Sequence, residues 1–268
     1  MSELNYAAML ESSGLASNTR ESYLFAIKQF CERYTEFTPE NLRDYKLWLI
    51  ENFKPATVNL RIQAINWYLK KLEREKLSLK SVKVQQKPFL EDVISEADYE
   101  FLKKQLLKDG DKYWYYVVRF MGATGARVSE LVRIKAEHVI AGYFDILSKG
   151  GKVRRLYIPR SLKMSALEWL TEINRDSGFL FVNRWGEPCT VEHIRNHLKL
   201  LARRYHLDPK CMHPHSFRHR FAKNFLAKCP DISFLADLMG HESIETTRIY
   251  LRKTSTEQRE IVDTLIDW

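Results

Sequence analysis

Four short stretches carry residue types that could act on an anion. Arg127 and Glu130 stand three apart in ATGARVSEL, the spacing of neighbours on one helix face. Lys149 precedes the glycine pair of SKGGKVRR and shares the stretch with Lys152, Arg154 and Arg155. A basic run of this kind reads as a solvated hairpin tip. In CMHPHSFRHRF, His215 and Arg218 are again three apart, at an expected helix start. Helix N-termini favour anions, so a phosphate there would gain an imidazole and a guanidinium donor. Phe217, Phe221 and Phe225 repeat at intervals of four, which predicts a buried side and leaves His215 and Arg218 on an open face. Finally, MGHESIETTRIYLR places Tyr250 nine residues after His241. Ile244 and Leu251 are expected to pack there, leaving the tyrosine hydroxyl free. Cys211, His213, His215 and His219 also invite a metal reading, but their spacing matches no closed zinc pattern and Pro214 constrains the backbone between them, so no metal is expected.

The elements that must position these groups read as mostly helix. Residues 2–13 predict a short helix. SNTRESYLFAIKQFCERY has an Asn18-to-Glu21 capping-box spacing, then an apolar stripe of Tyr23, Leu24, Ile27, Phe30, Cys31 and Tyr34. TPENLRDYKLWLI starts with Thr38 as cap and Pro39 at the first helical position, and buries Leu42, Tyr45 and Leu49. A third pattern over 56–75 lines up Val58, Ile62, Ile65, Leu69 and Leu72. These helices make a bundle over residues 1–78. Periodicity is lost in LSLKSVKVQQKPFLED, which reads as a linker over 79–91 containing Pro88.

A second domain is expected over 92–268. Ser95 and Asp98 mark a helix start. KYWYYVVRFMGATGARVSELVRI reads as two helices broken by glycine, and HVIAGYFDILSKGGKVRRLYIP as two strands joined at Gly150–Gly151. Helices follow at 161–174, 190–205 and 216–228, with a strand at FLFV. Asp231 and Ser243 can cap the short helices that flank Gly240, and Ser255 with Gln258 marks a terminal helix lined by Ile261, Leu265 and Trp268. The fold class is thus mainly α with a small antiparallel sheet.

Composition narrows the partners. The 268 residues carry a net charge of +9, which favours polyanions and nucleic acid first. The four cysteines are widely spaced and fit reduced thiols better than disulfides. No signal peptide or membrane span is visible, so a cytoplasmic protein with no membrane partner is expected.

Taken in order, Arg127, Lys149, His215, Arg218, His241 and Tyr250 resemble the active-site set of the tyrosine recombinases, the phage-integrase-type family of DNA strand-exchange enzymes. The resemblance spans the chain and favours the small, Xer-like or mobile-element type, since little precedes the first helices. It implies a core-binding bundle and a mixed α/β catalytic domain that close on DNA as a C-shaped clamp. It implies that Tyr250 is the nucleophile, that Arg127 and Arg218 clamp the phosphate, and that His215 is the acid/base group. Lys149 would protonate the leaving oxygen, with Lys152 as an alternative. His241 would hydrogen-bond the phosphate, and Glu130 would support the site's arginine and histidine. The implied partners are double-stranded DNA with short inverted-repeat core sites and further copies of the chain, up to a tetramer on DNA. No cofactor, metal or small-molecule substrate is implied. The terminal helix packs either on its own domain or on a neighbouring subunit. The rival readings are a tyrosine topoisomerase and a catalytically silent DNA-binding protein of the same fold.

Overall fold

The computed structural model describes residues 3–84, 91–147, 153–241, 243–252 and 255–266. The chain divides into two compact units, Met1–Gln86 and Lys87–Trp268.

In the first unit, helices α1 (Glu3–Glu11), α2 (Ser17–Cys31), α3 (Pro39–Asn52) and α4 (Pro55–Lys71) enclose one core. Thr38 caps α3 through Asn41, with Pro39 in the first turn, and Leu42, Tyr45 and Leu49 are buried as their spacing predicts. Helix α2 starts differently. Its N-cap is Ala16 with no side-chain cap, and Ser17 rather than Asn18 reaches Glu21, at 3.1 Å. Leu24 is exposed at the edge of the expected stripe. The pattern expected over 56–75 stops at Lys71, because Glu73 turns into the left-handed region and a 3₁₀ turn, Glu75–Leu77, follows. Residues 79–84 lack regular structure but are anchored. Asn66 exchanges two hydrogen bonds with the Leu79 backbone and Asn59 two with that of Val82, which satisfies main-chain groups that no helix or sheet serves. Pro88 lies outside the described residues.

The second unit opens with α5 (Glu96–Lys108), capped by Ser95, and α6 (Lys112–Thr124). Gly125 ends α6 at φ +63°, and a Cβ there would fall 2.4 Å from the Phe221 ring, so glycine is required twice over. Short helices α7 (Val128–Leu131) and α8 (Ala136–Ala141) lead into strands β1 (Tyr143–Leu147) and β2 (Val153–Tyr157). These pair antiparallel, with Leu147 opposite Val153 and Tyr143 opposite Tyr157. The turn between them, with Gly150, Gly151, Lys149 and Lys152, lies outside the described residues. Helices α9 (Arg160–Glu172), α10 (Val191–Arg204), α11 (Pro214–Lys228), α12 (Ile232–Met239) and α13 (Ile244–Arg248) follow, then a 3₁₀ turn, Ile249–Leu251, and α14 (Ser255–Leu265). The strand expected at FLFV is not formed. Only isolated bridges, Lys135 to Phe179 and Val182 to Pro188, flank buried Leu180 and Phe181. Burial, not sheet pairing, accounts for that apolar run.

The main core of this unit gathers α5, α6, the hairpin, α9 and α10 around Phe120, Phe181 and Phe217. A smaller cluster of Ala222, Leu235, Met239 and Tyr250 joins α11, α12 and the 3₁₀ turn. Along α14, Val262, Leu265 and Ile266 are exposed, while Lys223 pairs with Glu257 in its first turn. Trp268, expected on the same stripe, lies outside the described residues.

Candidate active site

The site is organised by the end of one helix. Asp231 caps the start of α12 by accepting from Phe234 at 2.9 Å, and Gly240 stops the helix at φ +62°. The last carbonyls of any helix lack intrahelical donors and carry the negative end of its dipole. Here three arginines from three distant segments supply them. Arg154 of β2 donates to Leu238 at 2.6 Å, Arg218 of α11 to Met239 at 2.6 Å, and Arg127, just before α7, to Gly240 at 3.0 Å. Three like charges converge because three successive carbonyls accept them.

A carboxylate completes the balance. Glu130 takes the Arg127 backbone N–H at 2.7 Å and its guanidinium at 3.0 Å, and forms a buried ion pair with Arg154. Burial alone would raise the Glu130 pKa, but Arg154 and Arg127 outweigh it and hold the carboxyl below the usual range. Glu130 was expected to support an arginine and a histidine; its partners among the described residues are these two arginines.

Arg154 was read from sequence as part of a solvated basic tip, and the structure corrects this. Strand alternation separates the neighbours. Arg155 faces out to pair with Asp145, while Arg154 shares the inward face with Leu156. Its parity with Leu156 was the signal available. Arg154 also fixes Gly240, where a Cβ would lie 2.2 Å from the arginine's Cδ.

Arg218 was expected on an open face. It is instead 3% exposed, donating to the Gly125 carbonyl as well as to Met239. Burial, then the Arg127 charge, lowers its pKa to about 10, which still leaves it cationic at neutral pH. His213 caps α11 by accepting from Ser216 at 3.2 Å. His215 is exposed on the first turn of that helix, and desolvation and the Arg218 charge hold its pKa below the ordinary value.

Tyr250 reverses another expectation. Ile244 and Leu251, expected to pack, are 43% and 57% exposed, whereas Tyr250 is 5% exposed. Its ring lies against His219 at 5.3 Å and stacks on His241 at 6.0 Å. Burial raises the phenol's pKa, and the nearby Arg218 and Arg127 charges oppose that rise. His241 approaches Arg218 through Nε2 at 3.2 Å and Thr247 through Nδ1 at 2.8 Å. Thus Arg127, Arg218, His241 and Tyr250 are gathered together with Glu130. Lys149 lies outside the described residues.

Sequence reasoning missed Arg154, Thr247 and His219. The last two carry no motif of their own and are defined by what they touch. Burial lowers the pKa of both His219 and His241 to about 4, against about 6.5 for an unfolded histidine. Between those values the unfolded chain binds more protons, so stability falls as pH drops from about 6.5 towards 4. Melting temperature measured across that window should decline steadily. His219→Phe, which keeps a ring beside Tyr250, should flatten the slope by up to about one proton. An unchanged slope would mean His219 does not titrate with unfolding.

The description "Phage integrase family" matches residues 92–257, and "Phage integrase, N-terminal SAM-like domain" matches residues 5–79. The chain belongs to the phage integrase family. Among its relatives, tyrosine recombinase XerA of Pyrococcus furiosus is 29% identical, over 96% of this chain and 91% of that protein. Tyrosine recombinase XerD of Vibrio cholerae is 27% identical, over 92% and 90%. The fold also matches the Tn1549 transposon integrase solved in complex with transposon right end DNA, with a TM-score of 0.71 at 16% identity over 99% of both chains. Among the described residues, helices outweigh a two-stranded antiparallel sheet. No helix among the described residues is long and apolar enough to cross a membrane.

Proposed function

We propose that this phage integrase family member is a site-specific recombinase that cleaves and rejoins double-stranded DNA through Tyr250. The observation that carries the reading is a buried Tyr250 that stacks on His241 and lies within the field of Arg218 and Arg127. The Tyr250 oxygen attacks a backbone phosphorus, the P–O5′ bond breaks, and a 3′-phosphotyrosine remains. A 5′-hydroxyl from a second strand later attacks that bond and releases the tyrosine. Bond energy is kept throughout, so covalent catalysis of this kind needs no nucleotide cofactor.

Each residue answers a physical demand. Negative charge grows on the non-bridging oxygens as the phosphorus becomes five-coordinate, and two guanidiniums suit it through paired planar donors. Arg127 and Arg218 supply them with orientations already set by helix-end carbonyls. The tyrosine must lose a proton, and His215, held towards its neutral form, is the acceptor. Lys149 protonates the departing 5′-oxygen. His241 donates to the phosphate, and Glu130 fixes Arg127. Because Tyr250 is 5% exposed, its carrier segment shifts as DNA enters. The packing of Tyr250 against His219 and His241 of its own chain supports cleavage in cis. The substrate is a duplex bearing inverted-repeat core sites, bound by a dimer or tetramer in a prokaryotic cytoplasm. The exposed apolar side of α14 is the surface a neighbouring subunit would take.

The test is a nicked suicide duplex, its sequence selected for tight binding from a random pool. Wild type should form a denaturant-resistant protein–DNA adduct, and Tyr250→Phe should bind equally well and form none. An adduct from the phenylalanine variant would remove the nucleophile. Binding without any wild-type adduct would favour a silent DNA-binding protein. Relaxation of supercoiled DNA without strand exchange would favour a topoisomerase.

A further inference from the structure

Thr247 takes no part in the chemistry above, yet it is completely buried on α13 with its hydroxyl 2.8 Å from His241 Nδ1. The other ring nitrogen, Nε2, faces the Arg218 guanidinium at 3.2 Å. A guanidinium only donates, so Nε2 accepts in this arrangement and the single ring proton sits on Nδ1, donated to Thr247. Burial, then the Arg218, Arg127 and Arg154 charges, keep this imidazole neutral, and His219 and the stacked Tyr250 are the other titratable groups beside it.

That tautomer is wrong for binding a phosphate. A phosphate oxygen only accepts, and it would arrive on the guanidinium side, where Nε2 now has no proton to give. The proton must leave Nδ1 and one must reach Nε2, with water carrying both and no net change in charge. Nδ1 then becomes an acceptor in a buried place and requires a donor. A hydroxyl can accept in the first state and, by rotating, donate in the second. No carboxylate or carbonyl could serve both.

We propose that Thr247 is a positioning residue that lets His241 exchange ring tautomers, accepting from Nδ1 while Arg218 holds Nε2 and donating to Nδ1 once Nε2 binds the scissile phosphate. The inference rests on the strand-transfer reading, in which His241 meets that phosphate. Threonine also suits the place because its methyl fills buried space that serine would leave, whereas valine keeps the shape and removes the hydroxyl.

The test uses the full chain and the nicked suicide duplex. Thr247→Val should bind DNA as wild type does but form adduct about tenfold to a hundredfold more slowly, the effect of orphaning one buried polar group. Thr247→Ser should stay within about threefold of wild type, since it retains the hydroxyl. Nitrogen-15 spectra of His241 should show the proton on Nδ1 in the free protein and on Nε2 with the duplex bound. A valine variant as fast as wild type, a serine variant as slow as valine, or a His241 tautomer unchanged by DNA would each overturn the proposal. The wild-type lane separates the two failures, because loss of the strand-transfer reading appears there as no adduct at all.

Discussion

Arg218→Ala is expected to slow adduct formation on a suicide duplex by at least about 10²–10³, the usual effect of removing one preorganised donor to a developing oxyanion. The same change should destabilise the second unit, which distinguishes this arginine from one that only touches substrate. The residue is 3% exposed, and its guanidinium serves the carbonyls of Gly125 and Met239. Truncation orphans both, and each unsatisfied buried group costs roughly 1–3 kcal/mol. Tyr250 also loses one of the two cations that restrain its pKa, so the phenol becomes harder to ionise. Arg218→Lys keeps a charge but cannot reach two carbonyls and a phosphate with one ammonium, so it should recover little activity. Single-turnover adduct rates and thermal melts would check both halves. Full stability with lost cleavage would place the residue wholly on the substrate side.

Glu130→Ala is the second large effect, and it is expected mainly in stability. Removing one member of a buried ion pair leaves the other charge without compensation, at about 3–5 kcal/mol. Arg154 is the charge left behind, with 7% of its side chain exposed, and Arg127 loses its carboxylate at the same time. For a unit of this size the melting temperature should fall by roughly 10 °C. Adding Arg154→Met should return part of the loss, because a hydrophobic side chain of similar length tolerates the buried place that an unpaired cation does not. Cleavage should also slow, as Arg127 is no longer held towards the phosphate. A fall of less than about 2 °C would show that water reaches the pair and screens it.

The sequence carried most of the helices. Capping residues with a local partner, such as Thr38, Ser95 and Asp231, acted as expected. Apolar spacing found the buried faces of α3 and α4. The failures have one physical source. Periodicity reports that a residue is apolar or polar, but not what it meets across the fold. Arg154 was placed in solvent as part of a basic hairpin run and Arg218 because it lies off the phenylalanine stripe, and the carbonyls that bury them lie 84 and 21 residues away in sequence. FLFV was called a strand because short apolar runs in a sheet and in a core look alike. Tyr250 was expected to be free because Ile244 and Leu251 offered two packing alternatives, and the 3₁₀ turn rotated the tyrosine inward instead. The candidate active-site residues stood out only as an ordered set, since each alone has an ordinary structural explanation.

The three carbonyls at the end of α12 also set the order in which this site comes into being during synthesis. Arg127, Arg154 and Arg218 all leave the ribosome before Leu238, Met239 and Gly240, and chains fold progressively from the N-terminal side as they emerge. Glu130 can pair with Arg127 and Arg154 beforehand, but until α12 forms the nascent polypeptide lacks the three carbonyls that draw all three guanidiniums together against their mutual repulsion. Tyr250 follows ten residues after Gly240. An incomplete translation product that stops before this helix therefore lacks both the assembled arginine cluster and Tyr250, the proposed nucleophile, and is expected to leave DNA uncut.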